Sequence, residues 1–503
     1  MNRTLSTSLF ALGTALGTVL ASPALADVTA ADVWANQQAL ISAAGGTLSG
    51  DLSDGSVAPE LNFILPQGAG SMQLTADAIS MTDNADGSVT ISYPSPMNFT
   101  ISGGAAGEGS FTATMVLTHD SYTATATGER GDIAYETRGE TLRVEVTNLT
   151  VDGNGPENFD MTGFLEMAEF ANDSRITEGN LISYVAQSMT GESNADFTFI
   201  ADNVSSTSTQ ITRPTQTNIT ASLPVGGSNV MNLSQAMRDG LNVAIESVGQ
   251  GTTQTSLTSL NGDTLNRQET STGEQTFAMS LGEDGFKIDV DASNFDFLMN
   301  DPLIFPGDLE FAMAGISANY DLPLNASDEE QDFRVATSLN GVTMADTIWN
   351  LFDPAGLLPR DPAEITFDLT GTGTSGIDLL DFAALGQMAG PPPIEVDQVT
   401  IENLRIAALG AEASAQGSMT LDWTDFQTIP GVPRPEGAVK ININGANQLM
   451  DTLVQMGVIP AEELMMPRMM MGMFATPVGD DMLETVIEVN EQGHVLANGQ
   501  RLQ

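Results

Sequence analysis

A chain of 503 residues with no cysteine, 65 acidic against 16 basic side chains and a formal net charge of -49 excludes thiol chemistry, disulfides and any broad electrostatic grip on nucleic acid or anionic lipid headgroups. At 41% apolar residues and a mean hydropathy of -0.01 there is material for a sizeable core, which excludes wholesale disorder. The acidity fits a salty habitat, where screening makes self-repulsion tolerable, better than a specific cation-binding role.

In chain order, Arg3, the apolar run Leu9 to Leu20 and the small-x-small site Ala24-Leu25-Ala26 read as a secretory signal peptide cleaved after Ala26. No later stretch reaches membrane-spanning length without charge. The expected location is therefore periplasmic, with no transmembrane segment after cleavage. Thr29 and Asp32 are spaced like a capping box and start a helix through Trp34, Leu40 and Ile41 that Gly45-Gly46 ends. Strands follow. Phe111, Ala113, Met115 and Leu117 alternate with Thr112, Thr114, Val116 and Thr118, and Leu142, Val144 and Val146 with Arg143, Glu145 and Thr147. Asp83 to Gly87 and Asp152 to Gly155 read as turns. Phe159 to Phe170 and Leu233 to Val248 read as helices. Gly249 to Gly273, rich in Gln, Thr and Ser, reads as soft. Strands resume at Phe277, Asn325 to Asp332 reads as an acidic loop, and Phe333, Val335 and Leu339 lead into a further helix.

The last hundred or so residues are the most regular. Val439, Ile441 and Ile443 alternate with Lys440, Asn442 and Asn444. Leu449, Met450, Leu453, Val454 and Met456 recur at helical spacing, closed by Gly457 and Pro460. There is an internal echo. Leu339-Asn340-Gly341, a helix and Gly356-Leu357-Leu358-Pro359 match Ile443-Asn444-Gly445, a helix and Gly457-Val458-Ile459-Pro460. Leu223 to Val243 is a weaker third copy. The organisation predicted is a signal peptide (1–26), an N-terminal β-rich half with helices (27–250), a soft linker (251–275) and a C-terminal β-rich half with the strand–helix repeat (276–503). The fold class is mainly β, a β-rich α+β chain. A long curved antiparallel sheet or sandwich is expected, with several amphipathic helices inserted.

The order Val399-Thr400-Ile401-Glu402-Asn403-Leu404, then Gly417-Ser418-Met419-Thr420-Leu421-Asp422, then Pro435-Glu436-Gly437, is followed by a strand, the Leu449 to Gly457 helix and Gly493-His494-Val495-Leu496-Ala497-Asn498-Gly499. It resembles the periplasmic alphaproteobacterial family catalogued as domain-of-unknown-function family 2125, most closely over residues 330–503. It is more distantly similar to AsmA-like envelope proteins. The resemblance implies an elongated β-rich envelope protein and brings no catalytic residues.

Chemistry is limited by inventory. Neither lysine, Lys287 or Lys440, follows a glycine, so no phosphate-binding loop exists, and no G-x-S-x-G elbow occurs. His119 and His494 are the only histidines, and both read as turn residues. Thr82, Asn84, Asp86 and Gly87 approach a calcium loop, but Thr stands at the first ligand position and Tyr93 at the twelfth. Asp328, Glu329, Glu330 and Asp332 read as a solvated acidic loop. Trp349, beside Ile348 and Phe352, reads as core. No catalytic residue, metal or cofactor is expected, and the protein is read as not an enzyme.

One cluster remains. Met465, Met466, Met469, Met470, Met471 and Met473 precede Phe474, too many for one stripe of a helix. Met466, Met469, Met470 and Met473 share a face and are expected to be core. Met465 and Met471 lie off that stripe and are the residues expected to meet a lipid or protein partner. The functional expectation is a non-enzymatic soluble periplasmic envelope protein holding a lipid-like or protein partner on an apolar sheet face or groove. The alternatives are a structural, salt-adapted acidic protein without a groove, and a hydrolase whose site is assembled in space.

Overall fold

The computed structural model describes residues 27–64, 70–105, 109–151, 159–228, 232–388, 390 and 393–502. The expected signal peptide, residues 1–26, and the turn expected at Asp152 to Gly155 lie outside these residues. The chain is mainly β, with 63% strand and 11% helix, and its strands pair antiparallel. The helices among the described residues are α1 (Ala30–Ala43), α2 (Leu233–Arg238), α3 (Asp346–Phe352), α4 (Phe382–Leu385), α5 (Ala446–Gln455) and α6 (Met465–Phe474). Two compact units divide the chain. One runs up to Asp284 and adds Leu380–Gln387, and the other holds Gly285–Leu379 and the residues from Met388 on.

The N-terminal unit is built on one long hairpin, Asp132–Val151 against Phe159–Glu178. Each strand changes partner half-way. Residues 132–138 pair with Thr123–Glu129, and residues 141–151 pair with Gly109–Asp120. On the other edge, residues 171–178 pair with Leu181–Thr190, and residues 159–167 with Ser193–Ala201. The one large antiparallel sheet of 30 strands therefore splits into two limbs at this hairpin, next to Glu169, whose backbone is left-handed at φ 51°. After Thr190 the chain visits the limbs in turn, with Thr215–Pro224, Asn242–Gly249 and Gln275–Gly282 on one, and Val204–Thr212, Thr252–Leu260 and Asp263–Thr272 on the other.

One buried cluster sits where the limbs part. Leu142, Met167 and Phe170 are buried there, with Leu117, Tyr122 and Leu165 packed against them. Helix α1 packs against Gly46–Ser49, Phe159–Glu178 and Leu181–Thr190. Its Asn36, fully buried, accepts from the Tyr135 hydroxyl at 2.8 Å and donates to Glu178 at 2.6 Å. The expected capping box is present, since Asp32 N–H donates to Thr29 Oγ1 at 3.2 Å and Thr29 N–H to Asp32 Oδ2 at 3.2 Å.

Four sequence expectations need correction here. Phe159 to Phe170 is strand, not helix. Phe159, Met161, Leu165 and Met167 also alternate with Asp160, Thr162 and Glu166, and cross-strand partners decide between the two periods. The helix expected from Leu233 to Val248 stops at Arg238, and Asn242–Gly249 is strand. Gly240, at φ 103°, makes that break possible. The stretch expected to be a soft linker forms the hairpin Thr252–Leu260 and Asp263–Thr272, because its threonines are β-branched strand formers whatever their polarity. The acidic loop expected at Asn325 to Asp332 is strand from Ser327 on.

The C-terminal unit is a plain meander. Gly285–Asn300, Asp308–Leu322, Ser327–Met344, Ala363–Ser375, Ile394–Ala408, Ala411–Asp422, Arg434–Asn444 and Met482–Val489 pair each with the next. The internal echo is matched at its helices and not at its opening glycines. Gly341 sits inside a strand, at a register shift between Leu339 and Val342, whereas Gly445 is the N-cap of α5.

Candidate functional site

The register of the C-terminal meander sorts its side chains by type. One row crosses all eight strands as Ile288, Tyr320, Val335, Leu369, Ile401, Gly417, Val439 and Ile487. The next row on that face holds Val290, Ala318, Phe367, Leu404, Ala415 and Ile441, with Thr337 and Thr485 completing it. A third begins at Ala292 and Ile316 and ends at Ile443 and Leu483. Successive strand residues point to opposite faces. The reverse face therefore carries the polar partners, with ion pairs Lys287–Asp321 at 2.8 Å, Arg334–Asp368 at 2.9 Å and Lys440–Glu484 at 2.7 Å.

A sheet this one-sided normally buries its apolar face against another layer. This one does so sparingly. Of the three rows only Ala415 and Thr485 are buried, while Ile406 is 48% exposed, Ile365 43% and Phe367 38%. The register gives the face a width of roughly 34 Å, seven strand spacings of ~4.8 Å.

Helix α6 is the second apolar surface. Its residues advance by about 100° each. Met465, Met469, Met473, Met466 and Met470 consequently fall within one arc of about 140°, and all five are exposed, from 49% at Met470 to 73% at Met465. The opposite arc holds the half-buried Met471 and Phe474, in line with the buried Leu464 before the helix. Arg468, on that inner side, donates to Asp451 at 2.5 Å and to the Asn447 carbonyl at 3.4 Å, which ties α6 to α5. Of the two residues expected to be available to a partner, Met465 is open and Met471 is half-covered. Met466, Met469, Met470 and Met473 share a face as expected, but that face looks outward and is not core. A helix with methionines on both sides gives no sign of which side is inner. The tie through Arg468 and the anchor at Leu464 decide it.

Elsewhere the chemistry is sparse. Among the described residues no three His, Asp or Glu side chains gather as a metal site. The Asp86 carboxylate is satisfied by the Ser88 N–H and hydroxyl at 3.1 and 2.7 Å, which hold it below its usual range. His119 is half-buried rather than a solvated turn residue. Its Nε2 lies 3.0 Å from the Tyr93 carbonyl, its Nδ1 accepts from the Tyr122 N–H, and its ring stands edge-on to Tyr122. Trp349 is buried against Phe352, with the Arg360 guanidinium 5.3 Å from its ring. No described helix is long and apolar enough to cross a membrane.

The apolar sheet face is the feature the sequence reading named only in general terms. Its signal lay in the alternation at Val439, Ile441 and Ile443, which continues in register through seven more strands. No family model, no curated protein and no solved structure matches the chain.

Proposed function

We propose that this is a non-enzymatic, exported protein of the cell envelope that holds the apolar part of a lipid-like molecule on the apolar face of its C-terminal sheet. One observation carries the reading: three apolar rows run across eight paired strands and leave side chains such as Ile365, Phe367 and Ile406 more than a third exposed. Contiguous apolar surface beyond a few hundred Å² is costly in water and marks a binding site in soluble proteins. Each methylene moved from water onto such a face gains about 0.8 kcal/mol. The row width of roughly 34 Å suits an extended acyl chain. The signal-peptide pattern at Ala24-Leu25-Ala26 and the resemblance of residues 330–503 to periplasmic envelope proteins support the location.

The test is native mass spectrometry of protein purified from its own periplasm, beside an Ile365→Asp/Ile406→Asp variant. An amphiphile should accompany the wild type and be lost from the variant. A wild type that carries no amphiphile and takes up no apolar dye overturns the reading.

A further inference from the structure

The outward arc of α6 is a separate surface, and nothing in the sheet-face reading uses it. It presents five methionines and no charge over about two and a half turns of helix. Methionine is unbranched and polarisable, and a row of them adapts to partners of varied shape. We propose that this arc docks a positively charged amphipathic helix of a partner protein.

Charge selects that occupant. Glu462 and Glu463 stand exposed immediately before the helix. The helix's one cation, Arg468, is on the inner side and engaged by Asp451. The surface offered is thus an apolar strip with acidic residues at its start. A helix with leucine-type residues on one face and lysine or arginine flanking them meets both features, as anchors laid into an apolar surface and as ion pairs at its rim. An anionic bilayer meets only the apolar strip, because its headgroups repel the glutamates and the arc carries no basic residue to attract them. A second copy of this chain brings a further net charge of -49.

The experiment uses the full chain after removal of residues 1–26 and a fluorescent Leu/Lys amphipathic peptide of about five helical turns. Saturable binding that weakens with added salt is expected. Met469→Gln/Met473→Gln should weaken it by about tenfold or more. Glu462→Gln/Glu463→Gln should weaken it less and flatten its salt dependence. A peptide of the same composition with its apolar face scrambled should not compete. The methionines are exposed, so an unchanged melting temperature should accompany the loss. Equal binding of the scrambled peptide, or full affinity in the methionine variant, overturns the proposal. So does methionine-dependent binding to anionic vesicles, or methionine-dependent self-association in sedimentation, without peptide binding.

Discussion

Asp481 closes the N-terminus of α5 onto Asn447. Its Oδ1 accepts from the Asn447 backbone N–H at 3.1 Å and from the Asn447 side-chain amide at 2.8 Å, and its Oδ2 accepts from the Gln448 N–H at 2.9 Å. The N-cap residue itself is Gly445, which has no side chain to offer, so a residue of the following hairpin supplies the cap. Burial alone would raise the Asp481 carboxylate, but the hydrogen bonds from Gln448 and Asn447 outweigh it and hold the group below its usual range. Asp481→Ala should lower stability by about 1–2 kcal/mol in chemical denaturation, the cost of losing a cap. Asp481→Asn should cost less, since Asn keeps one acceptor and tolerates the left-handed backbone at φ 51°. Equal losses from the two variants would count against the cap.

A second carboxylate gives a pH signature. Arg434 is mostly covered and is met by Asp422 at 3.0 Å, Asp425 at 3.4 Å and Glu436 at 3.3 Å. Hydrogen bonds from the Thr424 hydroxyl and N–H, and then from Arg434, bring Asp422 down to about 2. A carboxylate whose folded value lies below its unfolded one stabilises the fold above the unfolded value of 3.8 and loses that contribution as pH falls toward 2. Asp422→Asn should therefore melt below the wild type at pH 6, and the gap should close between about pH 4 and pH 2. A gap that stays constant over that range would show that ionisation of Asp422 is not what stabilises this end of the sheet.

The whole surface gives a salt signature of opposite origin. A formal charge of -49 repels itself more in the compact chain than in the expanded one. Raising ionic strength from 0.01 to 0.15 M shortens the screening length from ~30 to ~8 Å. The melting temperature should rise over that range. Surface ion pairs such as Lys287–Asp321 weaken at the same time, but each is worth only about 0–1 kcal/mol. A flat or falling curve would mean that self-repulsion does not limit stability.

What the sequence made legible was local. The strand Arg434–Asn444, helix α5 and the existence of α6 follow from apolar spacing and from the Gly and Pro residues that bound them. The splitting of the sheet into two limbs at one hairpin was not legible, because it rests on partners far along the chain. Gly163 is opposed by Val146 on one side and Phe197 on the other, and no periodicity within Phe159–Phe170 contains either. The same limit hid the orientation of α6. Its sequence shows which methionines share a face, while the choice of inner face depends on Asn447 and Asp451 of another helix.

That choice can be read out by substitution. If the inner side of α6 is the one that holds Leu464, Met471 and Phe474, polar replacement should hurt there and nowhere else on the helix. Met471 is half-buried, so Met471→Gln should cost about 1–2 kcal/mol, below the ~2–5 kcal/mol of a fully buried methionine truncation. Met465, Met469 and Met473 are more than half exposed. Replacing any of them with Gln exchanges one solvated side chain for another and should stay within about 0.5 kcal/mol. Arg468→Ala should add a loss of its own, because it frees α6 from Asp451 and leaves the Asn447 carbonyl without that donor. Urea denaturation of the four methionine variants decides the matter. A loss at Met469 and Met473 equal to that at Met471 would mean that the outward arc is covered in solution, and a neutral Met471→Gln would mean that α6 does not rest on its inner side at all.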